Sequence, residues 1–405
     1  MTITATDLPV LGATNRIGLA PATRRLRGHR FIWLMTPPWD NVWTRQNHFT
    51  MRLSELGAEV LYVEAPFAIS TLLRQGQIKK RLWQQTNQFR DVAPGLTVMR
   101  APPFLPGGIH SRAIGAFNAR IAARRVNQWL LRRKWGNYTC WCRVPMAVMA
   151  LQLLKPSRIY YDVTDDYRHF LKSSTAIREL ERREKILTQR ATKIFYTAAS
   201  LGSLENLKNK PAFLLPNGVD YELFAQAASP SLPVHPLLKS VKPPVIGYVG
   251  LTSIWTDFDL VAKLGRRFPG QVVMAGPVHP KVQAQARAIP GVIWTGFIQE
   301  RAELPNLIKG FSVCIMPFAV NRLTQNMNPL KVWEYLATGK PFVSVDLDGL
   351  GPARSLIDVA RGHEEFLQMV TLRLQGDEGA AQRQRLAKQY SWDSLFESLL
   401  DHLEI

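Results

Sequence analysis

Residues 31–66 read FIWLMTPPWDNVWTRQNHFTMRLSELGAEVLYVEAP. Phe31 to Thr36 form an apolar run closed by Pro37 and Pro38, TRQNHFTMRLSELG has helical character and stops at Gly57, and VLYVEAP is a second apolar run. Strand, loop, helix, strand is the building unit of a parallel sheet with right-handed crossovers. Further strand-like runs at 139–145, 158–166 and 193–199 alternate with helical stretches around 146–154 and 173–190. After a proline-rich stretch come VIGYVG (245–250), VVMAGP (272–277), VIWTGF (292–297), SVCIMPF (312–318) and PFVSVD (341–346). The repetition predicts an α/β chain of two Rossmann-like, doubly wound domains. Facing each other, such sheets would turn the carboxyl ends of their strands toward one cleft, the expected ligand site.

The predicted boundaries are a basic mobile extension (1–28), an acceptor-side Rossmann-like domain (29–225) and a linker (226–243) rich in proline. A second Rossmann-like domain (244–385) follows, and a terminal helix (386–405) is able to cross back to the first. With 405 residues, each domain is large enough for its own core. A 46% hydrophobic and 20% charged composition excludes disorder and a polytopic membrane protein. No run of 18 apolar residues and no apolar leader with a cleavage site stand in the text, so a cytoplasmic location is expected. Cys140, Cys142 and Cys314 show no framework spacing; Cys140 and Cys142 read as core strand residues.

The segment NRLTQNMNPLKVWEYLATGKPFVSVD (321–346) carries the chemistry. Asn328 followed by Pro329 predicts an N-cap and first helical position, and Gly339 with Pro341 predicts the stop. A helix N-terminus attracts phosphate, and Lys331 in its first turn adds a full charge. Glu334, one turn beyond Leu330, can accept both hydroxyl hydrogens of a vicinal diol such as ribose. The competing reading is an exposed i,i+3 pair of Lys331 with Glu334, of little energetic weight. Trp39, Asp40 and Arg45 follow the first strand, where an acceptor would enter. Asp165 and Asp166 follow RIYYDVT; adjacent carboxylates there fit a metal or a general base, and equally an N-cap for Asp166 or a salt bridge for Asp165. His48 and His169 read as structural or rim residues.

Taken together, TPPWDNVWTRQNHF, YYDVTDDYRHF, LPNGVDYELF, GYVGLTSIWTDFDL, AGP, WTGF and MPF followed by NPLKVWEYLATGKPFVS resemble one family. It is the group 1 (family four type) glycosyltransferases of two-domain GT-B architecture, and within it bacterial cell-surface polysaccharide enzymes of teichuronic-acid type. The resemblance spans nearly all of residues 30–400. It implies a motif of two glutamates separated by seven residues, the first touching the donor sugar and the second gripping the nucleotide ribose. Glu334 stands at the second position; Asn326 stands at the first, where an amide loses the charge-assisted part of a sugar contact. The resemblance further implies that backbone near Asn328, Pro329 and Leu330 faces the diphosphate, although Pro329 has no N–H. It also implies that Gly250, Leu251 and Thr252 form a loop approaching the donor phosphates, that no metal or other cofactor is needed, and that anomeric configuration is retained. A plain strand-end turn is the alternative for Gly250 to Thr252. Relatives often carry Arg and Lys beyond that loop; here the text is SIWTDFDL.

Lysine and arginine total 51 against 31 acids, a formal net charge of +20. The excess is local, since residues 65–161 hold sixteen Lys or Arg and one acid, Asp91. Segments 68–83 and 114–135 mix apolar side chains with clustered arginine and read as basic amphipathic stretches for an anionic membrane face, or as helices whose arginines are merely solvated. No zinc-finger, RNA-recognition or basic-zipper pattern supports nucleic acid as the polyanion. The expectation is a hexosyltransferase-type glycosyltransferase, peripheral on the inner face of the plasma membrane, moving a sugar from a nucleotide-diphosphate donor to a lipid-linked cell-envelope or exopolysaccharide glycan. Lys331, Glu334 and Asp165 are its expected catalytic groups. A sugar-nucleotide epimerase would instead turn over its nucleotide sugar without acceptor, and a silent membrane-bound partner of another transferase would show no turnover.

Overall fold

The computed structural model describes residues 25–40, 43–66, 89–101, 104–204, 207 and 210–404. The chain forms two compact units, one of residues 1–197, 201–215 and 402–405, the other of residues 198–200 and 216–401.

The first unit is built on an eight-stranded sheet. Its strands are β1 (Arg30–Thr36), β2 (Glu59–Glu64), β3 (Phe89–Ala93), β4 (Leu96–Met99), β5 (Thr139–Cys142), β6 (Arg158–Val163), β7 (Lys193–Tyr196) and β8 (Ala212–Leu214), ordered β3-β4-β2-β1-β5-β6-β7-β8. All neighbours run parallel except β3 with β4. The connecting helices include α1 (Arg45–Glu55), α2 (Arg112–Arg133), α3 (Val148–Leu154) and α4 (Ser174–Arg190). The winding reverses between β1 and β5, where Trp33 and Trp141 lie in register and stack at 4.4 Å.

The second unit carries a six-stranded parallel sheet of β9 (Ile246–Val249), β10 (Val272–Ala275), β11 (Val292–Gly296), β12 (Val313–Met316), β13 (Phe342–Val345) and β14 (Asp358–Ala360). The order β11-β10-β9-β12-β13-β14 is the dinucleotide-fold winding, reversing between β9 and β12. Its helices include α5 (Phe258–Arg267), α6 (Leu304–Lys309), α7 (Leu330–Thr338), α8 (His363–Gln375), α9 (Ala380–Gln389) and α10 (Trp392–Leu400). Strands β9, β10, β12 and β13 are buried at every residue, which is why their sequences are continuous apolar runs rather than alternating ones.

Three boundaries differ from the sequence reading. Of the expected basic extension, residues 1–24 lie outside the described residues, while Leu26 is buried and its N–H donates to the Leu56 carbonyl, tying residues 25–28 into the first unit. Residues 226–243 are not a linker: Leu238 and Val241 join the second core, the His235 N–H bonds the Asn306 carbonyl, and Lys309 donates to the Ser229 carbonyl at 2.6 Å. Proline density there marks a wrapped segment. Finally, α10 belongs to the second unit, with Trp392 and Phe396 buried, and only the tail after it returns to the first. In that tail His402 stacks on Phe213 at 4.1 Å, and the Glu404 N–H donates to the Tyr160 hydroxyl.

Candidate active site

In the second unit, β9 delivers Gly250, Leu251 and Thr252 to the point of reversal. Gly250 has φ 145°, and a Cβ on it would lie 3.0 Å from the Lys331 Nζ, so the missing side chain makes room for the lysine. The loop is fixed from below: Tyr248 Oη and Trp255 Nε1 both donate to the Leu251 carbonyl, and the Thr252 N–H bonds Pro277.

Helix α7 starts one residue later than expected, and Asn328 is not its cap. Pro329 occupies the N-cap position with ψ 126°, and no side chain caps the helix. Asn328 is held elsewhere. Its Oδ1 accepts from the Asn217 N–H at 2.7 Å, its carbonyl accepts from Asn217 Nδ2 at 2.7 Å, and its Nδ2 donates to the Gly349 carbonyl at 2.9 Å. Gly349 itself is obligatory, because a Cβ there would fall 1.7 Å from the Met327 carbonyl oxygen. The clamp therefore keeps the start of α7 clear: among the described residues, the Leu330 and Lys331 N–H groups have no acceptor.

Val332, Trp333, Tyr335 and Leu336 bury one side of α7, Trp333 stacking on Tyr390 at 3.8 Å and the Tyr335 hydroxyl accepting from the Val249 N–H. Lys331 and Glu334 are left on the other side. The Lys331 Nζ sits 5.1 Å from the Tyr248 ring centre and 5.3 Å from that of Phe318. Burial lowers its pKa to about 8, the Glu334 charge opposing the shift. Burial likewise raises the Glu334 carboxyl, partly offset by Arg301 and Lys331 and reinforced by Asp220. The two are partly buried and are not an ion pair; among the described residues neither has a hydrogen-bond or salt-bridge partner. Arg301 is taken by Asp220 at 2.9 Å. Asn326, closing the short turn 322–325, also has a free amide among the described residues. A desolvated cation, an unpaired carboxylate and uncapped N–H groups thus share the β9–β12 reversal point.

In the first unit the expected acceptor-side residues are mostly engaged. Arg45 is 2% exposed, pairs with fully buried Asp162 at 3.0 Å and donates to the Leu215 carbonyl, a structural role. Trp39 is buried against Trp43 and Tyr62, its N–H donating to Glu64. Asp40 pairs with Arg90 at 2.8 Å. Asp166 caps the turn 167–170 and grips Arg168 with both oxygens, whereas Asp165 has no salt bridge among the described residues and accepts only from Thr164. Burial raises the Asp165 pKa, with Arg143 opposing. His48 is buried edge-on to Trp43, and His169 lies 3.2 Å from Asp166.

Residues 246–368, which carry the second sheet and α7, match the family model described as Glycosyl transferases group 1. The chain is a glycosyltransferase, with a domain of the group 1 type at residues 246–368. It is 25% identical over 388 residues, 88% of this chain and 97% of the relative, to the Bacillus subtilis (strain 168) protein TuaH, named as a teichuronic acid biosynthesis glycosyltransferase. Its fold is similar to that of Anabaena Alr3699/HepE in complex with UDP and glucose (14% identity, TM-score 0.58, covering 92% of this chain and 98% of the other). It is also similar to the E. coli trehalose-6-phosphate structure bound with UDP-2-fluoro glucose (12% identity, TM-score 0.64, covering 93% and 99%). The two parallel α/β units are those of the GT-B architecture.

Several positions in this glycosyltransferase escaped the sequence reading: Tyr248 and Phe318, which flank Lys331; Asn217 and Gly349, which clamp Asn328; and Arg143. Only PNGVDYELF offered a cue to Asn217, and nothing in it tells that the partner is 111 residues away. Asn217→Ala removes the amide bond to the Asn328 carbonyl and frees that loop to slide toward the helix start. We expect about 1 kcal/mol lost from unfolding in urea; unchanged stability would deny the clamp its weight.

Proposed function

We propose that the chain is a hexosyltransferase taking its sugar from a nucleoside diphosphate donor bound at the start of α7, and passing it to a lipid-linked cell-envelope or exopolysaccharide glycan with retention at the anomeric carbon. The observation that carries the reading is the uncapped helix start beside Lys331 and Glu334, neither of which has an ion-pair or hydrogen-bond partner among the described residues. Two N–H groups and a desolvated ammonium suit a leaving diphosphate, whose charge grows as the glycosidic bond breaks. Glu334 suits the ribose diol, Asn326 a sugar hydroxyl, and the Gly250–Thr252 loop close approach to phosphate. In the first unit, Asp165 is assigned to the acceptor hydroxyl, its raised pKa making it a stronger base than an exposed aspartate. The names of TuaH and of the UDP-bound structures support a nucleotide-sugar donor and a cell-wall glycan. Melting the full chain against UDP, GDP, ADP and their glucose conjugates tests the donor site. One nucleotide series should stabilise it, and no shift with any of them overturns the assignment.

The same proposal places the enzyme on the inner face of the plasma membrane. No helix among the described residues is long and apolar enough to cross a membrane. Along α2, Phe117 (50% exposed) and Leu131 (79%) share the outer face with exposed Arg120, Arg124 and Arg132. Apolar wedges among arginines are the composition of a helix lying on anionic lipid. The other basic segment, 68–83, lies outside the described residues. Sedimentation with phosphatidylglycerol vesicles should pull the protein down at low salt, Arg120→Glu/Arg124→Glu should weaken this about tenfold, and neutral phosphatidylcholine vesicles should not bind. Equal sedimentation of the variant would remove α2 from the lipid face.

A further inference from the structure

The first unit reverses its winding between β1 and β5, and the carboxyl end of that junction is where an open parallel sheet receives a ligand. Arg143 is the first residue past β5, and Thr164 and Asp165 are the first two past β6. Arg45 and Asp162 beneath them neutralise each other at 3.0 Å. Arg143 is left over. Among the described residues its guanidinium has no carboxylate within salt-bridge distance and no hydrogen-bond acceptor, and its Nε is buried without a partner. An aromatic face lies beside it, the Tyr167 ring centre 5.8 Å from the guanidinium carbon, and its charge is felt by the Asp162 and Asp165 carboxyls without forming a salt bridge to either. Tyr167 is fixed there through its hydroxyl, 3.1 Å from Thr164 Oγ1.

A partly buried guanidinium with an unsatisfied N–H is costly unless a ligand completes it. Its planar fork fits a carboxylate or a phosphoryl group. The charge beside it narrows the choice: Asp165 repels a bare anion but accepts a hydrogen bond from a hydroxyl, and it keeps free oxygen capacity, since its one recorded donor is Thr164. We propose that the β1–β5 reversal point is an acceptor subsite for a hydroxylated oxyanion, an acidic sugar or sugar phosphate, with Arg143 on the oxyanion and Asp165 on a neighbouring hydroxyl. This rests on the reading of the first unit as the acceptor side.

The test uses the full chain carrying Lys331→Ala, so that the cation of the second unit cannot supply the signal. Calorimetric titration with D-glucuronate, α-D-glucose 1-phosphate and, as neutral control, D-glucose is run on this parent and on parents bearing Arg143→Gln, Arg143→Lys or Asp165→Asn. Binding of glucuronate, of glucose 1-phosphate or of both supports the subsite and tells carboxylate from phosphate. Arg143→Gln should weaken it about tenfold or more, and Arg143→Lys, which keeps the charge without the fork, by less. Asp165→Asn should weaken the sugar acids while leaving their order unchanged. If Arg143→Gln melts early, the lysine variant carries the comparison. Failure of both acids to bind the parent, binding of glucose as tight as theirs, or indifference to Arg143→Gln overturns the proposal. Binding of UDP, GDP and ADP to the chain with Lys331 intact is measured alongside: absence of all three defeats the donor site and leaves this result standing.

Discussion

Lys331→Ala slows sugar transfer by about a hundred- to a thousandfold while leaving the fold intact, the range found when one preorganised charge-stabilising group is removed from a water-poor site. The side chain sits between Tyr248 and Phe318 with no ion pair among the described residues, so its removal strands no partner. Single-turnover rates at saturating donor isolate the chemical step, and near-normal turnover would remove Lys331 from it. The pH dependence adds a signature. The lysine's pKa is lowered to about 8 by burial, so below that pH the free enzyme holds the cation proposed to attract diphosphate. Above it the cation is lost, and donor binding must take up a proton. The donor kcat/KM therefore falls as pH rises through about 8, and this alkaline limb disappears in Lys331→Ala.

Glu334→Ala weakens nucleotide binding with little harm to stability. Two hydroxyl-to-carboxylate hydrogen bonds at about 1.5 kcal/mol each amount to about 3 kcal/mol, or roughly a hundredfold in Kd. The carboxylate has no protein partner among the described residues and its pKa is raised by burial, so the fold gives up little when it goes. A nucleotide lacking both ribose hydroxyls provides the control: it should bind wild type and variant alike. A variant that discriminates the two nucleotides as well as wild type would place the ribose elsewhere.

The parallel strands of both sheets that position ligands were legible because a strand buried on two faces must be written as an unbroken apolar run, as in FIWL, CWC, VIGYV and VCIM. The hairpin β3–β4 and the edge strands β8 and β14 were missed. They are short, and β3, β8 and β14 are only partly buried, so no apolar run announces them. The Asn-Pro pair marked a helix start correctly to within one residue, but the local rule for capping lost to a long-range contact with Asn217. Proline clustering at 228–244 was read as a linker because local text does not show that Leu238 and Val241 face a core. Arg143 carried no motif at all. Its interest arises from which cations have already found carboxylates, and that accounting needs the fold.

The tail after α10 gives the molecule an order of events during synthesis. Residues 402–404 complete the first unit, with Lys193 Nζ donating to the His402 carbonyl and Glu404 meeting Arg158 at 2.9 Å. A ribosome that has released residues 1–215 has released a nearly whole amino-terminal body that still lacks this brace, and the nascent chain supplies it only after the entire second body has emerged.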